Sequence, residues 1–365
     1  MGASYKKAKL ILENGLEFHG YSFGADTPIS GEVVFNTSMT GYPESLTDPS
    51  YKGQILTLTY PLVGNYGVPG NLEQDKMLKY FESDRLHISA LIISDYSEEY
   101  SHWNADISLG EWLKQYDIPG ITGIDTRELT KVLREKGTML GKIIIEGGAD
   151  VDFYDPNEDN LVAQVSIKEP VTYGNGSLRI LLIDCGVKYN IIRNFLKRDV
   201  TLVRVPWNHD ISNEEYDGLF ISNGPGDPKM CRETILNLTQ AFTGDIPVFG
   251  ICLGNQLMGL AAGADTYKLK YGHRSHNQPV LRKGTDNAYI TSQNHGFAIN
   301  NNTLPNHWQP LFLNLNDNTN EGIMHSSKPF FSSQFHPEAS SGPTDTEFLF
   351  DEFLGKVKEY KGIPA

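Results

Sequence analysis

The residues with the clearest chemical potential are a cysteine flanked by glycines and, far downstream, a histidine followed by a glutamate. Cys252 comes directly after the apolar run 247–251 and before a helix-like stretch, with Gly250 and Gly254 on either side. This pattern predicts a nucleophile elbow, a tight turn that presents the sulfur above the carboxyl edge of a sheet. The glycines would let helix and strand approach closely, and the helix N-terminus would favour a thiolate.

The downstream partner is the segment Gln334-Phe335-His336-Pro337-Glu338. In an extended segment, residues two apart project to the same side, so Glu338 would orient the ring of His336 for proton exchange with Cys252. Such a set predicts acyl transfer through a thioester, in which the histidine first protonates the departing amine and then activates water. Each piece alone has a simpler explanation, an inert buried cysteine or an exposed turn. Their combination favours a cysteine hydrolase or amidase.

Two other loops offer groups for a substrate. In Ser222-Asn223-Gly224-Pro225-Gly226-Asp227-Pro228, the glycines would let a backbone N–H face a developing oxyanion, although a plain turn explains the segment equally well. The run Gln293-Asn294-His295-Gly296-Phe297 carries amide and backbone groups suited to an amino-acid headgroup. The chain has no GxxxxGK[ST] phosphate-binding loop. His273 and His276 have no cysteine or carboxylate at ligand spacing, so we do not predict a zinc site.

The first half, residues 1–150, reads as a mixed α and β domain. Its opening residues predict a hairpin, because Asn14-Gly15 separates two apolar-rich runs. Capping signals at Ser108 and Asp125, each followed three residues later by glutamate, predict two short helices, and Gly137 would end the second. Further strands are expected around residues 31–36, 54–60 and 88–93.

The second half, residues 178–365, alternates apolar strands with helices. We expect strands at 179–184, 201–205 and 219–222 and helices at 188–198 and 233–242, which together indicate an α/β domain with a doubly wound, mostly parallel sheet. Ligands bind such sheets at the carboxyl ends of the strands, where Cys252 falls. Residues 151–177 are rich in Gly, Asp, Asn and Pro and predict a solvated connector.

Composition limits the class of protein. The formal net charge of −14 argues against a general nucleic-acid binder, and 39% hydrophobic residues suit an ordinary globular protein. Three cysteines without a CxxC pair fit a reducing compartment. No apolar run is long enough to span a bilayer and no leader precedes the first strand, so we expect a cytoplasmic protein.

The run Gly250-Ile251-Cys252-Leu253-Gly254-Asn255-Gln256, with the loop at 222–228 and His336-Pro337-Glu338, resembles the triad-type (class I) glutamine amidotransferases. In the first half, the stretches 31–42 and 46–51 are similar to the small, glutamine-hydrolysing subunit of carbamoyl-phosphate synthetase. Thr59-Tyr60-Pro61-Leu62-Val63-Gly64-Asn65-Tyr66-Gly67 is most similar to the eukaryotic pyrimidine version, whose glutaminase forms the amino end of a multifunctional protein. The resemblance covers nearly the full length.

The resemblance implies a role for each matching position. Cys252 would be the nucleophile, His336 the general acid and base, and Glu338 its orienting carboxylate. The backbone N–H groups of Gly224 and Leu253 would form the oxyanion hole. The residues that would hold glutamine are Ser38, Gly226, Gln256, Asn294, Gly296 and Phe297. The family usually has histidine at the position of Asn255, which lies outside the triad, so we expect hydrolysis to survive the exchange. A separate hypothesis is that the exchange lowers the thiolate fraction or disturbs coupling to the synthetase.

The implied function is hydrolysis of L-glutamine to L-glutamate and ammonia, delivered to a carbamoyl-phosphate synthetase domain or large subunit in de novo pyrimidine biosynthesis. Multifunctional relatives also carry aspartate transcarbamoylase and dihydroorotase. No cofactor is expected in this chain, whereas ATP and magnesium would be used by the synthetase partner. Two alternatives remain open, an arginine-pathway small subunit and a non-catalytic regulatory scaffold.

Overall fold

The computed structural model describes residues 5–364, so the outermost residues of the predicted domains 1–150 and 178–365 lie outside the described part. The chain divides into two compact units, Met1–Asp159 and Asn160–Ala365. The division falls inside the segment 151–177 that the sequence predicts as a connector.

The first unit combines many short strands with three α-helices in its described residues. In chain order these are β1 (Lys7–Leu12), β2 (Glu17–Ser22), β3 (Ile29–Asn36), α1 (Tyr42–Thr47), β4 (Gln54–Leu58), β5 (Leu62–Val63), β6 (Val68–Pro69), β7 (Glu73–Gln74), β8 (Met77–Leu78), β9 (Ala90–Ile92), β10 (Asp95–Tyr96), β11 (Ala105–Ile107), α2 (Leu109–Gln115), β12 (Gly120–Thr122), α3 (Thr126–Lys136) and β13 (Met139–Ile145).

Seven of these strands close into a barrel in the order β1-β13-β3-β4-β9-β12-β2. The predicted hairpin is confirmed, since β1 and β2 pair antiparallel around Asn14-Gly15. Both predicted helix starts are confirmed as well. Ser108 and Glu111 form a reciprocal capping box on α2, and the Asp125 side chain accepts the Glu128 N–H on α3, which ends at Gly137. The first unit is therefore a mixed α and β domain.

The second unit contains the remaining elements. They are α4 (Leu161–Val165), β14 (Val171–Tyr173), β15 (Leu178–Asp184), α5 (Tyr189–Leu196), β16 (Val200–Pro206), β17 (Gly218–Ile221), α6 (Arg232–Ala241), β18 (Val248–Ile251), α7 (Leu253–Ala262), β19 (Thr266–Arg282), β20 (Ala288–Ile299), β21 (Trp308–Asn314), β22 (Asn320–His325), β23 (Phe330–Ser333) and α8 (Phe348–Tyr360).

The strands of this unit form one sheet in the order β14-β16-β15-β17-β18-β23-β22-β21-β19-β20. Its centre, from β16 to β23, is parallel, which confirms the predicted α/β core. Beyond β23 the sheet continues with antiparallel strands, including the long β19–β20 hairpin. The sequence does not indicate this antiparallel half, because its strands mix polar and apolar residues without a regular alternation.

Side chains on β17 show that both faces of the parallel centre are covered. Leu219 and Ile221 belong to a buried cluster with Leu257 of α7. Phe220, which points to the opposite face, packs edge to face on Phe195 of α5 at a centroid distance of 4.9 Å and also meets aromatic rings of α8. Helices on both faces explain why these strands are apolar throughout.

The predicted connector differs from the structure in its second part. Residues 160–177 contain α4 and the edge strand β14, which pairs antiparallel with β16. Leu161 and Val162 are buried, and the Ile167 N–H donates to Asp184 at 2.8 Å. Local composition misses these contacts, because the polar residues of the segment surround a few apolar anchors that find partners only in the folded sheet.

Candidate active site

Cys252 stands at the turn between β18 and α7. Its backbone has φ 55° and ψ −103°, a conformation that costs a non-glycine residue about 1–3 kcal/mol. The Cys252 N–H donates to the Ser333 carbonyl at 2.8 Å, which ties the turn to β23. The predicted nucleophile elbow is therefore present, with the sulfur at the carboxyl end of a parallel strand.

The two flanking glycines allow the close crossing of strand and helix, as the sequence predicts. A Cβ atom on Gly250 would lie 2.7 Å from the backbone carbon of Gly254, and one on Gly254 would lie 2.3 Å from the Ile221 carbonyl oxygen. Both distances are shorter than real Cβ contacts. The helix can therefore begin directly over β17 and β18 only with glycine at both positions.

His336 and Glu338 meet as predicted, although through a different backbone shape. The His336 Nδ1–H donates to Glu338 Oε1 at 2.7 Å, and both side chains are buried. The expected extended segment is wrong, because Pro337 and Glu338 form a turn that follows an isolated bridge between His336 and Ser292. The turn brings the carboxylate back to the ring.

Cys252 lies close enough to His336 to affect the pKa of the ring. Burial by itself lowers the pKa of His336, but the interactions of the ring with Glu338 and Cys252 outweigh burial and raise the pKa to about 10. Glu338 occupies Nδ1, so Nε2 is the ring nitrogen available for proton exchange with Cys252. The structure thus brings Cys252, His336 and Glu338 together at one edge of the sheet.

Lys188 is a site residue that the sequence analysis missed. It is buried, and its Nζ lies 3.1 Å from Glu338 Oε1 and donates to the Ala339 carbonyl at 3.3 Å. Burial raises the pKa of Glu338, but the charges of Lys188 and His336 outweigh it and lower the pKa to about 2. Lys188 follows β15 closely, at the same sheet edge as Cys252, and this position was the feature of the sequence that could have indicated a role in the site.

The loop at 222–228 lies against the start of α7. A Cβ atom on Gly224 would be 2.0 Å from the Cys185 carbonyl oxygen and 2.8 Å from Leu253 Cδ2. Gly226 adopts φ +83°, a left-handed conformation that favours glycine. Gly224 and Leu253, the two residues expected to supply an oxyanion hole, are therefore neighbours.

The predicted glutamine-binding residues of β20 and α7 also come together. Cys252 Sγ contacts the Asn294 carbonyl oxygen at 3.7 Å, and Gln256 Nε2 donates to the Phe297 carbonyl at 2.8 Å. Gly296 lies between Asn294 and Phe297 in sequence. A Cβ atom added to Gly296 would lie 3.3 Å from Arg274 Nη2. The segment 294–297 therefore lies beside the elbow.

Ser38 belongs to the first unit, just after β3. Its hydroxyl and its N–H both contact Asn36 Oδ1, at 2.6 and 2.8 Å. It lines a cavity of about 140 Å³ in that unit, together with Tyr42 and Tyr66. Its predicted contact with glutamine stays a prediction.

Asn255, the departure from the resembling family, is fully buried in a group of amides. Its Nδ2 donates to Gln334 Oε1 at 2.9 Å, and it accepts the Ser332 hydroxyl at 2.7 Å. Gln256 Nε2 also lies 3.2 Å from Gln334 Oε1. Asn255 thus connects α7 to β23 and to the residues that precede His336, a role that the sequence did not indicate.

His273 has partners that sequence spacing did not reveal. One ligand atom each from His273, His295 and Glu321 lies within 4.8 Å of the others, a grouping that could hold a metal ion. His276, the predicted neighbour, does not belong to this grouping among the described residues. Sequence spacing did not reveal this grouping because Glu321 comes from β22, far along the chain, and the expectation of no zinc site stays a prediction.

Comparison with known proteins agrees with this architecture. Residues 10–143 match the family described as Carbamoyl-phosphate synthase small chain, CPSase domain, and residues 181–356 match Glutamine amidotransferase class-I. The chain is 52% identical over 362 residues to Carbamoyl-phosphate synthase (ammonia), mitochondrial, of Mus musculus, covering 98% of this chain and 24% of that protein. It is also 52% identical over 360 residues to Multifunctional protein CAD of Squalus acanthias, covering 97% of this chain and 16% of that protein.

A third relative is close to this chain in length. The Carbamoyl phosphate synthase arginine-specific small chain of Neosartorya fischeri is 50% identical over 372 residues, covering 99% of this chain and 82% of that protein. The second unit is thus a class-I glutamine amidotransferase domain. The chain as a whole belongs to the carbamoyl-phosphate synthase small-chain family. It spans a quarter or less of the mouse and Squalus proteins.

No helix in the described part of the chain combines the length and apolar character needed to cross a membrane.

Proposed function

We propose that this chain hydrolyses L-glutamine to L-glutamate and ammonia and supplies the ammonia to a carbamoyl-phosphate synthetase. The observation that carries the proposal is the group at the elbow. A strained cysteine at a helix start lies beside a histidine, and a buried glutamate accepts the other ring proton of that histidine at 2.7 Å. This arrangement suits acyl transfer to a thiolate.

In the first half of the reaction, the Cys252 thiolate attacks the carboxamide carbon of glutamine. The N–H groups of Gly224 and Leu253 stabilise the oxyanion that forms. His336, which the raised pKa keeps protonated at neutral pH, gives its Nε2 proton to the leaving nitrogen. The carbon–nitrogen bond breaks, ammonia departs and a thioester to Cys252 remains.

In the second half, His336 accepts a proton from water as the water oxygen attacks the thioester carbonyl. The carbon–sulfur bond breaks, glutamate leaves and the Cys252 thiolate returns. Glu338 holds the ring in one orientation and stabilises the imidazolium, as the third member of such a group does. In the second unit, the proposal assigns the binding of substrate to Gly226, Gln256, Asn294, Gly296 and Phe297.

The proposal assigns ATP and magnesium to the synthetase partner, either a domain of the same polypeptide or a separate large subunit. Multifunctional and separate small-chain relatives have nearly equal identity to this chain, 52% and 50%. We assign it to pyrimidine biosynthesis on the motif at 59–67, with aspartate transcarbamoylase and dihydroorotase as neighbouring domains and a cytoplasmic location. Expression of this chain in a host that lacks only its pyrimidine-specific glutaminase tests this assignment, and restored growth supports it. Restored growth only in a host that lacks its arginine-specific glutaminase contradicts the assignment.

A second candidate is a non-catalytic regulator of the synthetase. The name of the mouse relative specifies ammonia, so family membership alone does not establish glutamine hydrolysis. Ammonia release from glutamine by the isolated chain, measured with and without a synthetase, separates the two candidates. Release in either condition supports the glutaminase, whereas none in both conditions favours the regulator.

Covalent trapping tests the nucleophile directly. A chloroketone analogue of glutamine should alkylate Cys252, which peptide mass spectrometry would locate, and excess glutamine should protect it. The Cys252→Ala variant should take up no label and release no ammonia. Buried Cys185 and Cys231 serve as internal controls, because burial raises the pKa of both thiols. Labelling that persists in Cys252→Ala would refute the assignment.

A further inference from the structure

Four hydrogen-bonded side chains join the first turn of α7 to β23 and form one polar chain. Asn255 and Gln256 belong to that first turn, Gln334 directly follows β23, and Ser332 lies on β23. All four side chains are buried. Asn255 is also the position at which the sequence departs from the amidotransferases that it resembles.

The direction of the polar chain is set at one end by a backbone carbonyl. Gln256 Nε2 donates to the Phe297 carbonyl oxygen at 2.8 Å and lies 3.2 Å from Gln334 Oε1. A carbonyl oxygen only accepts, so Gln256 must present its amide nitrogen to Phe297, and that nitrogen has two hydrogens. The second hydrogen goes to Gln334, which therefore presents its oxygen.

The other end of the polar chain is set by a backbone N–H. The Ile323 N–H donates to Ser332 Oγ at 3.1 Å, which leaves the hydroxyl hydrogen for Asn255 Oδ1 at 2.7 Å. The other acceptor for that hydrogen, the Ile323 carbonyl, is more distant at 3.3 Å. Asn255 thus turns its oxygen to Ser332 and its Nδ2 to Gln334 Oε1, at 2.9 Å. Every bond along the polar chain joins a donor to an acceptor.

Asn255 helps to decide how the amide of Gln334 is turned. Gln334 Oε1 accepts from both Asn255 and Gln256, whereas Gln334 Nε2 has no hydrogen-bond partner among residues 5–364. A reversed Gln334 amide would place Nε2 against two donors in a buried place, where a lost hydrogen bond is costly. The orientation of this amide therefore depends on its two donors, and Asn255 is the nearer one.

The atom of Gln256 that remains for a ligand is Oε1. Both hydrogens of Nε2 are used within the protein, and neither of these bonds involves Oε1. An amide oxygen contacts only donor groups of a substrate. L-Glutamine has two such groups, the carboxamide that Cys252 attacks and the α-ammonium group. Because hydrogen bonds from charged donors are the stronger ones, the α-ammonium group is the partner that suits Oε1.

We infer that Asn255 is a positioning residue that makes the site specific for substrates with a free α-ammonium group. It acts through Gln334, whose oxygen holds the Gln256 amide with Oε1 free for the substrate. This inference rests on the proposed function, because Gln256 is assigned to glutamine there. It predicts that Asn255 affects the binding of L-glutamine far more than the binding of an analogue without the amino group.

Two substitutions separate the hydrogen bonds of Asn255 from its shape. Leucine branches at Cγ as asparagine does, but Asn255→Leu offers neither a donor to Gln334 nor an acceptor to Ser332. Asn255→His keeps both functions, because a neutral imidazole donates from one nitrogen and accepts at the other. The direction of the polar chain should therefore survive in Asn255→His and be lost in Asn255→Leu.

Ligand binding to the full 365-residue chain tests the inference in a Cys252→Ala background, where no turnover occurs. Titration calorimetry should show the Kd of L-glutamine raised about tenfold by Asn255→Leu, equal to about 1.4 kcal/mol. The Kd of glutaramate, which has the same carboxylate and carboxamide but no amino group, should change less than about twofold. Asn255→His should bind L-glutamine within about twofold of the background variant.

Asn194→Leu is the matched control. Asn194 is also a buried asparagine, and its Nδ2 donates to the Asn190 carbonyl at 2.9 Å. It lies on α5, which packs on the opposite face of the sheet from α7. Both leucine variants should lower Tm, but only Asn255→Leu should change the Kd of L-glutamine.

A milder variant keeps the test decisive if Asn255→Leu does not fold. Ser332→Ala removes the hydroxyl that holds Asn255 Oδ1 at 2.7 Å, so the Asn255 amide is no longer fixed in one orientation. The Kd of L-glutamine should rise about threefold, and the Kd of glutaramate should stay constant.

The chemistry at Cys252 is measured separately with iodoacetamide, which does not need the glutamine site. Asn255→Leu in the otherwise wild-type chain should alkylate at the wild-type rate. Its KM should rise about tenfold while kcat changes less than about twofold, the pattern of a lost binding contact. Slower alkylation would place the effect of Asn255 on the thiolate and overturn the inference.

The remaining outcomes separate the inference from the proposed function. An unchanged Kd of L-glutamine in folded Asn255→Leu overturns the inference, as does an equal rise for glutaramate. A rise confined to L-glutamine, together with no ammonia release by the wild-type chain, supports the inference and contradicts the proposed glutaminase. Absence of glutamine binding in the background variant and in the wild-type chain contradicts both.

Discussion

At Glu338, two cations act on one buried carboxylate. Lys188 Nζ lies 3.1 Å and His336 Nδ1 2.7 Å from the same oxygen, and the side chain of Glu338 is fully buried. A carboxylate in such a place remains ionised only because opposite charges offset its desolvation. Lys188 therefore stabilises the charge of the group that orients His336.

Replacement of Lys188 by methionine should disturb both stability and pH dependence. Removing one partner of a buried ion pair costs about 3 kcal/mol or more in unfolding free energy, measurable by urea denaturation. The pKa of Glu338 is depressed, so its carboxylate is lost only as pH falls through that low value. Without Lys188 the pKa rises, and the acid limb of the kcat/KM profile should move to higher pH. Lys197→Met, which removes an exposed pair with Glu347, should change stability by less than about 1 kcal/mol.

His273 should give the stability curve a characteristic pH dependence. Burial lowers its folded pKa, but hydrogen bonds to Asp317 and Glu321 outweigh burial and raise the pKa to about 9, so its contribution is fully present below about pH 6.5 and is lost as pH rises through 9. The charged or titrating groups around it are Asp317, Glu321, His295 and Arg274. The stability difference between the wild-type chain and His273→Asn should shrink by about 3 kcal/mol between pH 6.5 and pH 9.5. A difference that stays constant over this range would contradict the imidazolium assignment.

At the scale of elements, the crossing of α7 over β17 and β18 decides where the sulfur stands. The crossing requires glycine at positions 250 and 254, because neither position has room for a Cβ atom. Only Cys252 separates the end of β18 from the start of α7. Protein interiors tolerate little additional volume. A small displacement of α7 would therefore move Cys252 and Gln256 together, since both are attached to the first turn of the helix.

Gly250→Ala tests this crossing. The new methyl group would lie 2.7 Å from Gly254, so the variant should lose about 1–3 kcal/mol of stability and at least tenfold in ammonia release. Gly355→Ala in α8 is a matched control, because no atom lies within 4 Å of its added Cβ and alanine favours the helix by about 1 kcal/mol. Equal behaviour of the two variants would show that the close crossing is not required.

At the scale of the whole molecule, the second unit begins before its first parallel strand. Asp184 is fully buried at the end of β15, where Oδ2 bonds to both Arg204 and the Ile167 N–H, each at 2.8 Å. Residues 160–177 thus help to satisfy a buried charge and add the edge strand β14. A domain that started at residue 178, as composition suggests, would lack these contacts.

Two fragments compare the boundaries directly. The fragment 160–365 should unfold cooperatively, whereas 178–365 should have a Tm lower by at least about 5 °C, because it exposes the β16 edge and leaves Asp184 with one partner fewer. Thermal melts monitored by circular dichroism make the comparison. Equal Tm values would place the boundary at 178 after all.

Much of the fold and of the site could be predicted from the sequence wherever the signal is local. The Asn14-Gly15 turn and the caps at Ser108 and Asp125 act over a few residues, so their outcome depends little on the rest of the chain. The predicted shape of the His336 segment failed, because a turn rather than an extended strand brings Glu338 to the ring. The antiparallel half of the sheet was missed because its burial depends on neighbouring strands.

The sequence by itself determined the elbow, because a strand, a cysteine between two glycines and a helix follow one another directly along the chain. Only the tertiary structure decided which charges and amides surround it. Lys188 and Glu338 are 150 residues apart, and His273 and Asp317 are 44 apart. Contacts of this kind follow from the order of strands in the sheet, which brings distant residues to one edge and which no local pattern specifies.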